Sequence, residues 1–321
     1  MSYTLYPLLL EPAMHVKVWG GDRLHTLLNK PKPTDEPYGE SWEMHDTAVV
    51  LNGELAGQTV RDVLKAWGQD LCGLDYKPRD GMPLLVKFLD AHDWLSVQVH
   101  PNDVQAAQLE GEPRGKTEAW YVVAAEPNSK LVIGVTPGTE KDVLANAVRE
   151  NTLEDLLVYA NVTAGDVLFV AAGTIHALGP GLLIYEIQQS SDTTYRFYDW
   201  GRLDLNGSPR PLHIEKSLAV SNLDTLPDIQ HTAGSDNAVV EIVSSEYFQT
   251  VLHQMGAGKP TQVGLYTFGS FHTLTCIDGS LTVTANEVAI TLNKGQTALL
   301  PAALGEYVMK TGDTARVLRS W

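Results

Sequence analysis

The chain has 321 residues, 44% hydrophobic and 19% charged, a balance that suits one large or two ordinary globular domains and excludes a disordered polymer. Its formal charge of −16 excludes nucleic acid as the expected partner, because phosphate backbones are gripped by clustered Lys and Arg. Two cysteines, Cys72 and Cys276, provide neither a disulfide framework nor a CxxC motif, which fits a reducing compartment.

The opening M-S-Y-T-L-Y-P-L-L-L-E-P lacks a basic leader, and no stretch approaches the roughly 18 apolar residues of a membrane span, so the expectation is a cytoplasmic protein with no membrane contact. T-V-R-D-V-L-K-A-W-G-Q-D-L (59–71) predicts a helix with Val60, Val63, Leu64, Trp67 and Leu71 on one stripe and Thr59 as its N-cap. L-L-V-K-F-L (84–89) reads as a strand. In L-S-V-Q-V-H-P-N-D (95–103), Gln98 and His100 are two apart and face the same side of a strand that Pro101 ends. Two polar side chains converging there want a shared partner: a substrate, a water network or a metal ion. Lys116, Glu118 and Trp120 alternate onto one face of the next strand, within G-K-T-E-A-W-Y-V-V. K-L-V-I-G-V (130–135), D-V-L-F-V (166–170) and L-I-Y-E-I (183–187) are further strands. Helices are expected at 139–149, with Val143, Leu144, Ala147 and Val148 inward, and around 213–222. Residues 223–236 read as a connector, beyond which strand patterns return in A-V-V-E-I-V, F-H-T-L-T-C-I, S-L-T-V-T-A and T-A-L-L-P. The class is mainly β with a few short helices.

A weak repeat joins the two halves. Gly165 is followed by a five-residue apolar run, Ala171, Gly173 and His176; Gly295 is followed by a similar run, Pro301 and Leu304. This spacing resembles the second motif of the cupin family. The resemblance implies two jelly-roll β-sandwich modules: residues 1–225 carrying a metal site, and residues 226–321 degenerate, with Leu304 at the histidine position. Under it, Gln98, His100, Glu118 and His176 form the metal set. Two imidazoles, a carboxylate and an amide oxygen suit one Zn²⁺ with an open position. An isolated histidine is more often an ordinary core or surface residue, so His15, His25, His45, His92, His213, His231, His253 and His272 are assigned no role in chemistry.

The glutamine narrows the resemblance. Q-x-H-P is the form found in type I phosphomannose isomerases, and V-W-G-G-D-R-L (18–24), G-E-S-W-E (39–43), L-V-K-F-L-D-A (85–91), G-K-T-E-A-W and Y-E-I-Q-Q-S-S-D-T-T-Y-R-F-Y-D-W-G-R (185–202) resemble its short bacterial branch in the same order. This implies a zinc-dependent aldose–ketose isomerase that interconverts mannose 6-phosphate and fructose 6-phosphate through an enediol. Such a reaction needs proton transfer and stabilisation of a developing oxyanion. Lys116, beside Glu118 on the same strand face, is placed for proton transfer. The resemblance puts Arg196 in catalysis, Glu186 and Asp192 near the site, and Trp19 in its wall. In so acidic a chain a sugar phosphate needs a focused cationic patch, for which Lys87, Lys116, Arg196 and Arg202 are candidates. Two rival readings are an iron-dependent cupin dioxygenase, which Gln98 disfavours, and a sugar-binding cupin without chemistry, for which Lys116 and Arg196 would be superfluous.

Overall fold

The computed structural model describes residues 4–232 and 234–321. Strands hold 42% of residues against 16% in helices, which gives the mainly β class that the sequence predicts. The strand patterns materialise as Leu84–Ala91, Glu118–Ala125, Lys130–Val135, Asp166–Val170 and Leu182–Gln189. The first expected helix is split: Val60–Trp67, capped by the Thr59 side chain accepting from the Asp62 amide, and then Gln69–Cys72. Gly68, at φ +57°, makes the break. The second helix is Lys141–Arg149, and it corrects one expectation. Val143 is exposed, while Ala145 joins Leu144, Ala147 and Val148 inside. At 100° per residue Val143 falls on the rim of the buried stripe. Two helices went unread, Arg23–Leu28 and Asp103–Leu109; the second begins with an Asn102–Gln105 capping box that N-D-V-Q spells out.

The described residues build two large antiparallel sheets. The first has seven strands in the order Ile229–His231, Asp166–Val170, Glu118–Ala125, Leu182–Gln189, Leu84–Ala91, Tyr38–Met44 and Ala13–Gly21. The second has ten, mostly from residues 239–320, but Leu8–Glu11 and Val49–Val50 complete it, with Leu8 opposite Leu299. Because side chains alternate along a strand, the first sheet has two different faces. Phe88, Tyr121 and Tyr185 lie on one, packed with Leu64 and Trp67 of the helix and with Leu252 and Leu318 of the second sheet. The other carries a cross-strand row, Trp42–Lys87–Glu186–Trp120.

Buried polar contacts tie the sheets together. Tyr185 Oη lies 2.7 Å from Ser320 Oγ, and the Glu43 carboxylate accepts from Lys30 Nζ (2.6 Å), Ser41 Oγ (2.6 Å) and Thr297 Oγ1 (2.9 Å). The two motif glycines behave alike, at φ +94° for Gly165 and +85° for Gly295, each leading into a strand. A Cβ on Gly295 would stand 1.9 Å from the Leu28 carbonyl oxygen, so only glycine fits. Leu304 packs in an apolar cluster with Leu274 and Leu300, where the first copy has His176.

The second sheet also buries two histidines. His253 is 1% exposed with neither ring nitrogen hydrogen-bonded, and burial, reinforced by Arg319, holds its pKa down to about 4; His272 is held to about 3 by burial, Arg319 and His253. The unfolded chain takes up these protons near pH 6.5. Between pH 6.5 and about 4 the unfolded state therefore binds more protons than the folded one, and stability falls as pH drops through that window. His253→Leu removes one such group, and its urea midpoint should fall less than that of the parent between pH 7 and pH 4.5. Parallel losses for the two proteins would refute this assignment.

Candidate active site

Residues far apart in the chain meet through backbone pairing. The amides and carbonyls of Gln98 and His176 exchange two hydrogen bonds of 3.0 Å, and Gln98 is paired on its other side with Arg196. The Gly173 amide donates to the His100 carbonyl at 2.8 Å, and Glu118 opens the neighbouring strand of the sheet. The expected metal set is thus brought together. His100 Nε2 lies 3.6 Å from Glu118 Oε2, His176 Nε2 lies 3.3 Å from Glu118 Oε1, and the Gln98 amide nitrogen lies 3.3 and 3.5 Å from the Nε2 atoms of His176 and His100.

The hydrogen bonds decide which ring atoms are available. His100 Nδ1 donates to the Thr193 carbonyl and His176 Nδ1 to the Thr174 carbonyl, both at 2.9 Å, so both Nε2 lone pairs face the centre. Burial and then Lys116 hold His176 at about 4, and push His100 well below the usual imidazole range, so both rings are neutral at pH 7. Glu118 Oε1 is buried without a hydrogen-bond partner. Acceptor atoms 3.3 Å apart, with no proton between them, repel unless a cation is shared, and this donor set therefore fits a divalent metal. Gln98 Oε1 accepts from Ser96 Oγ at 3.2 Å; turning the amide over would direct that oxygen to the centre within the same space.

Beside this cluster runs a chain of buried charges. Lys116 Nζ lies 3.0 Å from His100 Nε2, bonds Glu118 Oε2, and stands 4.0 Å from Glu186. Lys87 Nζ is 3.0 Å from Glu186 Oε1 and 3.9 Å from Glu40. The Glu186 contact is ionic in distance but off hydrogen-bond direction, which leaves Oε1 without a directed donor, whereas Oε2 takes the Trp120 indole N–H at 2.8 Å. Burial opposes the charge on Lys87, but Glu186 and Glu40 outweigh it and lift its pKa above the ordinary lysine range. Burial likewise opposes ionised Glu40, and Lys87 and Lys17 hold it down to about 2.

Above these groups opens a cavity of about 440 Å³, lined by Trp19, Lys87, Gln98, Lys116, His176, Glu186, Asp192 and Arg196 among others. Arg202 does not reach it: its guanidinium is bound to Asp199 at 2.8 Å and to the Trp94 carbonyl. Arg210 does line it, holding Asp199 through Nε and Nη2 at 2.7 and 2.6 Å. Arg196 Nη1 donates to the Pro211 carbonyl at 2.9 Å, while its Nε is buried without a partner. Lys17, Glu40 and Trp42, not singled out in the sequence, also line it, as does His15, which the sequence reading assigned no role and whose ring lies 4.2 Å from that of Trp42. Lys17 stands two residues before Trp19, and Glu40 and Trp42 two apart within G-E-S-W-E, so strand alternation offered a signal for three of them. Arg210, in an irregular S-P-R-P segment, offered none.

Comparison with known proteins agrees with this picture. Residues 8–141 match the family model described as phosphomannose isomerase type I, catalytic domain. The chain is 38% identical over 310 residues to a mannose-6-phosphate isomerase of Streptococcus mutans serotype c, covering 94% of each chain. It is 33% identical over 315 residues to the probable mannose-6-phosphate isomerase GmuF of Bacillus subtilis, covering 95% of this chain and 96% of that one. The crystal structure of a mannose 6-phosphate isomerase from Bacillus subtilis superposes with a TM-score of 0.84 at 30% identity, over 98% of this chain and 99% of that one.

Lys87 is the cation that two buried carboxylates share. Lys87→Met leaves Glu40 and Glu186 without it and should cost roughly 3–5 kcal/mol, read from the urea midpoint. Lys17→Met, at a side chain one-third exposed and 3.1 Å from Glu40, should cost less than about 1 kcal/mol. Equal losses would show that Lys87 has no special place in the charge chain.

Proposed function

The chain belongs to the phosphomannose isomerase type I family and carries its activity, mannose-6-phosphate isomerisation; on that premise we propose a zinc-dependent route through an enediol. The observation that supports it most is the donor set of His100 Nε2, His176 Nε2 and Glu118, with both Nδ1 atoms committed to backbone carbonyls. Two neutral imidazoles with oxygen donors suit zinc and leave a position open to substrate. Gln98 would complete the set through its amide oxygen. Bound there, zinc would act as a Lewis acid on the sugar's carbonyl oxygen.

The protein's own groups supply the rest. Conversion of mannose 6-phosphate to fructose 6-phosphate removes the proton on C2 and returns one to C1, with negative charge growing on the sugar oxygens between the two steps. Lys116 is the cation beside the donor set and faces that charge. Lys116 and Glu186 are the proposed proton carriers, because both line the cavity and stand 4.0 Å apart. Asp192 lines the same cavity and is assigned to orientation of the sugar. Trp19 gives the ring an apolar wall. Arg196 and Arg210 are the two guanidiniums of the lining and are assigned the phosphate, with Lys87 positioning Glu186 at 3.0 Å. In this proposal residues 1–225 form the catalytic module and residues 226–321 a second module without metal ligands, working in the cytoplasm, although Ile229–His231 pairs into the first sheet and Leu8–Glu11 and Val49–Val50 into the second. No helix among the described residues is long and apolar enough to cross a membrane.

The deciding experiment is a coupled assay for fructose 6-phosphate formed from mannose 6-phosphate by purified, chelated and zinc-restored protein. Activity should vanish on chelation and return with zinc; activity that survives complete metal removal would sink the proposal. Lys116→Ala should lower kcat by about 10²–10⁴ while substrate still binds. Arg210→Met should raise KM by roughly 10–100-fold, the worth of a charged hydrogen bond to phosphate, whereas Arg202→Met should leave KM unchanged.

A further inference from the structure

The second sheet contains a polar cluster that isomerisation does not use. Tyr266, at the end of the Thr261–Tyr266 strand, and Phe268 just beyond it place their rings 4.8 Å apart, and Phe268 is 85% exposed. With Leu265, Glu306, Tyr307, Val308 and Arg319 they line a cavity of about 550 Å³ that shares no residue with the catalytic one. The Arg319 guanidinium carbon lies 4.4 Å from the centre of the Trp321 ring. Among the described residues it has no carboxylate within ion-pair distance, although the chain carries 39 Asp and Glu, and its Nε is buried without a hydrogen-bond partner. Behind it Tyr307 Oη and His272 Nδ1 are 2.8 Å apart, and both nitrogens of the buried His253 are unpartnered.

A guanidinium without a counter-ion at a cavity wall, in a chain this acidic, is set to receive an anion. Two aromatic rings in contact, their planes inclined at 53°, open to solvent at the same cavity and offer apolar surface for a ring face. Glu306 is the one carboxylate of the lining; it can accept hydrogen bonds from hydroxyl groups and repels a ligand with several negative groups. We propose that this cavity binds a small sugar bearing a single anionic group, the ring on Tyr266 and Phe268 and the phosphate or carboxylate on Arg319.

The test is methyl NMR on the full chain, titrated separately with glucose 6-phosphate, glucuronate, inorganic phosphate and glucose. Leu265 and Val308 methyls report this cavity, and Leu89, Leu95 and Leu178 methyls report the catalytic one. Saturable shifts at Leu265 and Val308 with one or both sugar anions are expected, together with clearly weaker effects of phosphate or glucose alone. Phosphate-only and carboxylate-only responses distinguish the two anion sources. Arg319→Gln and Phe268→Ala should each weaken binding by about tenfold or more at this cavity and leave the catalytic methyls and turnover unchanged. Phe268 is too exposed for its replacement to disturb the core, so it tests the site even if Arg319→Gln misfolds. No shift with either sugar anion would overturn the proposal. So would shifts as large with inorganic phosphate or neutral glucose, shifts that persist undiminished in both variants, or a self-association lost in Phe268→Ala without any ligand response.

Discussion

Ionised groups in an apolar interior are costly unless each has a partner, and the seven-stranded sheet of this protein is arranged around that constraint. Lys87, Lys116, Glu40, Glu118 and Glu186 are each less than 10% exposed. They are tolerable because strand register sets them alternately by sign: Glu186 directly opposite Lys87 on one neighbour and Trp120 on the other, with Glu40 within reach of Lys87. The sheet's opposite face supplies the compensation, a continuous apolar layer from Phe88 and Tyr185 across to Leu252 and Leu318. One face of the sheet thus stabilises the fold while the other lines the candidate site.

Precision at the donor cluster comes from the backbone. The paired hydrogen bonds between Gln98 and His176 fix two donor residues in one register, and carbonyls of Thr174 and Thr193 fix the tautomers of the rings. None of these locks depends on a long flexible side chain, so little conformational entropy is lost when the site is assembled. Lys116 Nζ stands within hydrogen-bond distance of His100 Nε2 and Glu118 Oε2, groups that are already immobile.

The second sheet is more than an appendage. The Leu8–Glu11 strand crosses into it, and Lys30, Glu43 and Thr297 form a buried junction with the Gly295 turn. Where the first motif copy ends in His176, the second ends in Leu304 among Leu274 and Leu300, so an apolar cluster stands in place of an imidazole. Among the polar groups this sheet does keep, Arg319 lines a different cavity, and His253 and His272 are buried close to it.

Much of this was legible in one dimension. Period-two alternation placed Gln98 with His100 and Lys116 with Glu118, and the mainly β class followed from short runs between turn residues, because side-chain direction in a strand is fixed by local geometry alone. Motif order carried the family. Lys116 meets Glu118 although it precedes the strand, which opens at Glu118, and helical periodicity erred on Lys141–Arg149, where Val143 sits on the rim of the stripe. What the sequence could not determine were distances between segments. Arg202 and Arg210 are equivalent as residue types, yet only folding of the irregular 199–213 segment turns Arg210 to the cavity and ties Arg202 to Asp199 and the Trp94 carbonyl. The sharing of Lys87 between Glu40 and Glu186, and the entry of Leu8–Glu11 into the distant sheet, depend on non-local strand pairing, which leaves no periodic trace in the chain. The sequence by itself determined which side chains share a strand face; tertiary structure alone decided which faces meet.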